Sequence, residues 1–391
     1  MAMERFGRIF EIRVPRTLIG LNAHESAGRV ARELGARKVL IMTDPGILEA
    51  GLAARVAGSL EREGLPCTIY PQCLADSQFK AINESRGLVR DEGINLIIGL
   101  GGGAVMDTAK LAGLPYTGKG NLGDILKPSG NRESGVRRIL IPTTSGTGSE
   151  WSNVAIFMNE AEGRRIPVYS DLLWADAAII DPVLTLELPP ALTADAGMDA
   201  LSHAIEAYTS WKANVFTDAM AEKAIRLIAE DLRTAYANGP KHIEARYRLS
   251  VAAGLAGLAM RSSGSYIVHS FTYPLCSQAE LSHGAACSLL LPPVMEFNLI
   301  GSLEKFAGVA RLMGEKTEGL PLRDQAGKSV DAVRRLAADL NMKQALGEAG
   351  ISEKDIPGIV DYIFRFHSYQ IENNPRNLSR EDARRILESV L

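Results

Sequence analysis

The sequence predicts an α/β N-terminal domain followed by an all-α C-terminal domain, with the boundary near residue 187 (1–186 and 187–391). Three observations predict it. Short apolar runs alternate with helical patterns before the boundary. Long segments of 3.6-residue period follow it. The chain of 391 residues is long enough for two domains. With 46% hydrophobic and 23% charged residues, composition is that of an ordinary globular protein. The formal net charge of -3 supplies no field for nucleic acid or anionic membrane. No window of 18 residues is both apolar and uncharged, and the first 20 residues lack a signal-type apolar core, so a cytoplasmic protein is expected. Cys67, Cys73, Cys276 and Cys287 show no CxxC or metal-like spacing and read as reduced thiols.

In chain order, RKVLIMTD (37–44) reads as a strand ending at Asp44, then Pro45-Gly46. PCTIYPQ, from Pro66, is a weaker strand. INLIIGL (94–100) is a buried strand that runs into Gly101-Gly102-Gly103 and the helical AVMDTAKLAGL. RRILIPTT (137–144) is a strand leading into Ser145-Gly146-Thr147-Gly148-Ser149-Glu150, and 177–182 closes the half. Beyond 187, helices are expected over 193–212, 216–237, 242–262, 265–273, 284–299, 301–314, 327–342, 353–367 and 380–390, with 314–327 as a surface loop.

The glycine triplet stands where a strand ends and a helix begins, so backbone amides and the helix dipole meet there to receive a diphosphate. Thr143, Thr144 and Thr147 lie in a second polar loop after a strand, offering hydroxyls to phosphate, ribose or nicotinamide. Asp44, at a third strand end, suits the ribose hydroxyls of NAD and would repel the 2′-phosphate of NADP. It serves equally well as a turn initiator. It precedes the glycines, whereas the usual fingerprint has the acid about 20 residues after them.

Asp199 and His203 are spaced i, i+4 on a helix, with side chains about 6 Å apart, and so reach one divalent ion. His269 and His283, with Pro274 and Gly284 as turn residues between and after them, reach it from two further elements. Glu206 could support such a site, though a solvated helix charge is the commoner role. His24, His242 and His367 have no partners by spacing, with His367 a weak pocket candidate near Asn374-Pro375-Arg376.

GGGAVMDTAK (101–110), PTTSGTGSE (142–150), GMDALSHAIEAY (197–208) and HSFTYPLCSQAELSHG (269–284) resemble the iron-containing alcohol dehydrogenases of the dehydroquinate synthase-like superfamily. The likeness spans nearly the whole chain. It implies a metal-dependent oxidoreductase that moves hydride between NAD(H) and a small alcohol or aldehyde, in a cleft between the two domains. It implies Fe²⁺, with Zn²⁺ as the alternative, on Asp199, His203, His269 and His283. It implies diphosphate at Gly101, Gly102, Gly103 and Ala104, with Asp107 also at the cofactor; contacts from Thr143, Thr144 and Thr147; the adenosine ribose on Asp44; and a homo-oligomer, dimeric or larger. Tyr273 stands where many members carry a second histidine, and so becomes the candidate to orient substrate or pass a proton. Arg165 stands for a lysine beside the nicotinamide ribose, and Asp76-Ser77 for an Asn-Pro pair.

The substrate pocket is expected among Trp151, Met260, Phe271 and Tyr273, with Arg261, Ser262 and Ser265 nearby for a hydroxylated or anionic aldehyde. The competing readings are a hydroxyacid–oxoacid transhydrogenase, a lyase of the same superfamily, and a binding protein without catalysis.

Overall fold

The computed structural model describes residues 11–74, 78–114, 135–159, 164–279 and 281–391. Asp76-Ser77 lies outside the described residues. The chain divides into two units: Arg13–Thr144 with Gly148–Leu186, and Glu187–Leu391 with the three residues Ser145–Thr147.

The first unit holds a parallel six-stranded sheet in the order β1-β8-β5-β4-β2-β3. Its strands are β1 (Arg16–Ile19), β2 (Val39–Met42), β3 (Cys67–Tyr70), β4 (Leu96–Gly101), β5 (Arg137–Pro142) and β8 (Ala177–Ile180). Strands β2, β4 and β8 are buried throughout because crossover helices cover both faces. Alternate residues serve the two faces. Val39, Ile41, Ile98 and Ile141 pack with Val30, Val56 and Leu60 on one side. Leu40, Met42, Ile97 and Leu140 pack with Ala81, Met106 and Ala109 on the other.

Counted from β2, the inner strands β3-β2-β4-β5-β8 follow the doubly wound order 2-1-3-4-5, and β1 is added beside β8. In that order the topological switch point lies between β2 and β4. Asp44 and the glycine triplet follow those two strands, so the acid precedes the glycines as a consequence of topology. The sequence reading missed β1, whose four residues are only partly buried, and the antiparallel hairpin β6 (Val154–Asn159) with β7 (Arg164–Tyr169). His24, expected to stand alone, is buried and hydrogen-bonded through Nδ1 to Asp181. The Asp181 carboxylate also accepts from the amides of Asn22, His24 and Val183, which ties the end of β8 to the segment after β1.

In the second unit the helix Pro190–Thr209 is buried at every position from Met198 to Thr209, as a helix at the centre of an all-α core must be. It packs against the helices Val215–Asn238, Ile243–Ser263 and His283–Asn298. Two corrections concern proline and the expected loop. Pro274 is not a turn residue but lies inside the helix Ile267–Gln278, where burial of its neighbours Tyr273 and Leu275 outweighs the lost backbone bond. The stretch expected as a loop over 314–327 turns helical at Leu322, directly after Pro321, in the helix Leu322–Asp339. The segment His283–Gly301 is long and apolar enough to cross a membrane, but two-thirds of its most apolar window is buried within the unit, so it reads as a core helix.

A Cβ on Gly284 would stand 2.1 Å from the backbone oxygen of Asp195, so only glycine lets the start of the His283–Asn298 helix touch the Pro190–Thr209 helix. That crossing sets His283 beside Asp199. Gly284→Ala is expected to cost about 1–3 kcal/mol of stability, measured by denaturant unfolding. It should also weaken binding of a divalent cation, measured by titration; unchanged affinity would show that the crossing does not position His283.

Candidate metal and cofactor sites

Asp199 Oδ1 is the point on which three imidazoles converge. It lies 3.3 Å from His203 Nε2, 3.5 Å from His283 Nε2 and 3.8 Å from His269 Nε2. Ligand atoms about 2.1 Å from one tetrahedral ion would stand about 3.4 Å apart, so the spacing is that of a coordination shell. The His203 and His269 rings stack with centroids 4.7 Å apart and nearly parallel.

Glu206 is where the structure adds most to the sequence reading. It is fully buried rather than solvated. Its carboxylate accepts from His269 Nδ1 at 2.6 Å, from the Val268 amide at 2.8 Å and from the Tyr266 amide at 3.1 Å. One side chain thus satisfies amides at the start of the Ile267–Gln278 helix and fixes the His269 tautomer. With Nδ1 turned to Glu206, Nε2 is the His269 nitrogen that faces the site, and it is buried with no hydrogen-bond partner. An orphaned buried nitrogen facing a carboxylate at 3.8 Å fits a metal ligand.

The electrostatics favour a cation. Burial alone would raise the Asp199 carboxyl, but His203, His283 and His269 together hold it well below the usual carboxylate range. Burial disfavours a charged His269, yet Glu206 and Asp199 raise it to about 10. His203 is shifted down, chiefly by burial.

Sequence reasoning missed Cys287. Its Sγ lies 3.8 Å from Asp199 Oδ1 and 3.7 Å from His283 Nε2, one turn along the helix from His283. The donor atoms of Asp199, His269, His283 and Cys287 all lie within 4.8 Å of one another. The signal was an i, i+4 His-Cys pair, which a search for CxxC passes over.

Tyr273 is one helical turn beyond His269, buried, and stacked on His367 with centroids 4.5 Å apart. His367 Nδ1 bonds Gln370 Oε1 at 2.8 Å. Of the residues expected at a substrate pocket, Phe271 is fully buried in the helical core and Trp151 is buried with its Nε1 donating to Thr17 Oγ1. Met260 is partly buried against the same core. The Ser262 hydroxyl donates to Leu258, and the Ser265 carbonyl accepts from Asn373. Burial would raise the Tyr369 phenol, but hydrogen bonds with Asn373 and Lys212, and then the charges of Lys212 and Arg261, bring it down.

In the first unit, Gly102 to Ala104 are partly exposed at the start of the helix Gly103–Ala112. The glycines answer first to packing: a Cβ on Gly101 would meet the Val105 side chain at 2.6 Å, and one on Gly99 would meet Ala109 at 2.8 Å. Gly102 has room, its nearest neighbour being Thr144 at 3.6 Å. Asp44 caps the helix Pro45–Glu49 by accepting from the Ile47 amide through Oδ1. Thr143 Oγ1 is buried without a hydrogen-bond partner, which fits a group that meets a ligand. Asp107, expected at the cofactor, instead uses its oxygens inside the fold, accepting from Ser149 Oγ at 2.6 Å and the Ile156 amide at 2.9 Å. Lys110, with no exposure, donates to Ser149, Ser152 and Val154, which locks the Thr-rich loop and the hairpin to this helix. Burial brings its ammonium down to about 8 and pushes the nearby Glu150 carboxyl up to about 7. Arg165 sits on β7 opposite Met158, partly buried. Thr147 belongs to the segment that joins the helical unit, where Gly146 packs against Ala196.

Residues 15–182 match the family described as iron-containing alcohol dehydrogenase, and residues 193–391 match the C-terminal part of the Fe-containing alcohol dehydrogenase family. The NAD-dependent methanol dehydrogenase of Bacillus methanolicus is 34% identical over 96% of this chain and 98% of that protein. Sulfoacetaldehyde reductase of Bilophila wadsworthia is 32% identical, over 96% of this chain and 97% of that protein. A crystal structure of 1,3-propanediol oxidoreductase superposes with a TM-score of 0.94 at 32% identity, covering 98% of this chain and 100% of that one. With both units matched end to end, the chain belongs to the iron-containing alcohol dehydrogenase family and is an alcohol/aldehyde oxidoreductase.

Proposed function

We propose that this NAD-dependent alcohol dehydrogenase holds one divalent cation on Asp199, His203, His269 and His283, and interconverts a small alcohol and its aldehyde. The observation that carries the reading is the convergence of three imidazole nitrogens on Asp199 Oδ1 at 3.3–3.8 Å, with Glu206 holding His269 from behind. When bound, the cation supplies Lewis acidity toward an alcohol or aldehyde oxygen, and the nicotinamide supplies hydride exchange. Mixed carboxylate and imidazole donors accept Fe²⁺ or Zn²⁺, and the family description favours iron.

This chain's residues then have separate tasks. The amides of Gly101 to Ala104, at a helix start, receive the cofactor diphosphate, and Asp44, across the switch point, accepts the adenosine ribose hydroxyls. Thr143, Thr144 and Thr147 line the path toward the nicotinamide, with Arg165 a further contact. Asp199 and His203 fix the cation, and the hydroxyl of Tyr273, next along the helix from His269, orients the substrate oxygen and passes its proton.

An NADH-oxidation screen over short aldehydes, with metal content measured on the same samples, tests the central claim. His269→Ala is expected to lose bound metal and lower turnover by about 10³-fold or more while the fold is retained. Retained turnover would refute the site. Tyr273→Phe should keep its metal, lose turnover by about 10²-fold and alter the pH profile of kcat; an unchanged profile would remove Tyr273 from the proton path. Asp44→Ala should narrow the preference for NADH over NADPH by about tenfold, the effect of losing a charge contact worth about 1.4 kcal/mol. If the ratio holds, Asp44 is only the helix cap.

A further inference from the structure

We propose that Lys110 is a positioning residue for the dinucleotide: its ammonium clamps the two polar loops that receive the cofactor, and losing its proton slackens them and weakens cofactor binding. This rests on the cofactor reading above and deepens it.

The geometry carries the argument. Lys110 lies on the helix Gly103–Ala112, whose start is the glycine loop, and it has no exposure. Its ammonium donates to Ser149 Oγ at 2.6 Å, to Ser152 Oγ at 3.2 Å and to the Val154 carbonyl at 2.8 Å. Those acceptors use all three N–H bonds of the charged form. Ser149 Oγ in turn donates to Asp107 Oδ1 at 2.6 Å, and Asp107 Oδ2 accepts from the Ile156 amide at 2.9 Å. The Thr-rich loop is thus tied at both ends. The Thr143 amide donates to the Gly101 carbonyl at 3.1 Å, and Ser149 is held on the helix by Lys110 and Asp107. Beside the first tie, a Cβ on Gly102 would stand 3.6 Å from the Thr144 side chain, so the two loops face each other closely.

A neutral amine keeps two N–H bonds, so deprotonation drops one of the three contacts. Burial brings the ammonium down to about 8, against the charges of Asp107, 3.6 Å away, and Glu150, while Arg138 adds to the fall. Those are the charged groups that face it. Glu150 titrates lower, at about 7, and its ionisation strengthens the ammonium rather than loosening it. Arg138, beside Asp176, titrates higher, at about 10. The loosening step between them belongs to Lys110. Because the charged form binds the cofactor more tightly, affinity is highest below the step and falls as pH rises through it. Binding above the step takes up a proton.

Fluorescence titration of the full-length protein with NADH, from about pH 6.5 to about pH 9.5, tests this. Wild-type affinity is expected to fall about threefold or more across the step, with about one proton at most taken up per NADH. Lys110→Met should bind NADH about tenfold more weakly at neutral pH and lose the step. Ser152→Ala removes one acceptor and no charge. It should move the step to lower pH, because the ammonium loses a bond that favours its charged form. This comparison decides even where Lys110→Met does not fold. A flat wild-type profile, a step that survives in Lys110→Met, or a step unmoved in Ser152→Ala overturns the proposal and leaves the cofactor reading standing. No NADH binding at any pH overturns both.

Discussion

The hydrogen bond from His269 Nδ1 to the buried Glu206 carboxylate is the interaction on which the centre depends. Burying a carboxylate with no exposure is costly unless its lone pairs are met. Here one imidazole and two helix-start amides meet them. The same contacts fix which nitrogen of His269 points inward and hold the Ile267–Gln278 helix, and hence Tyr273, in register with the Pro190–Thr209 helix. In the proposed centre, metal binding and helix packing are therefore one problem, because the group that orients His269 also caps the helix.

Backbone proximity supplies the rest of the precision. Gly284 against the Asp195 backbone is a contact that any Cβ would break, and a Cβ on Gly197 would have to displace the Leu232 side chain. In the first unit, Gly99 and Gly101 leave room for the Ala109 and Val105 side chains of the Gly103–Ala112 helix against β4. Gly101 is thus a packing residue inside the proposed diphosphate loop. Its position follows from the strand order, which sets Asp44 and the triplet on the two sides of the switch point.

Much of this was legible in the sequence. The inner strands announced themselves because both their faces are buried, leaving unbroken apolar runs such as LIIGL and ILIP. β1 and the β6–β7 hairpin did not, since edge and surface strands mix Arg, Thr and Pro into short runs. Pro274 misled because local chemistry argued for a turn where tertiary burial imposed a helix. At the candidate site, the closeness of Asp199 and His203 was readable from i, i+4 spacing. The roles of Glu206, Cys287 and Lys110 were not, because each depends on a partner more than 38 residues away or on a neighbour whose meaning only burial reveals. Asp107 shows the converse: a polar residue in the right motif, taken up by the fold.

The most direct test is anomalous diffraction from crystals of the protein loaded with a divalent metal, recorded at that metal's absorption edge. The account predicts one strong peak within about 2.0–2.3 Å of both Asp199 and His269 Nε2, with the His269–Glu206 hydrogen bond retained. A metal-loaded crystal with no peak there, or with its peak away from Asp199, would contradict it.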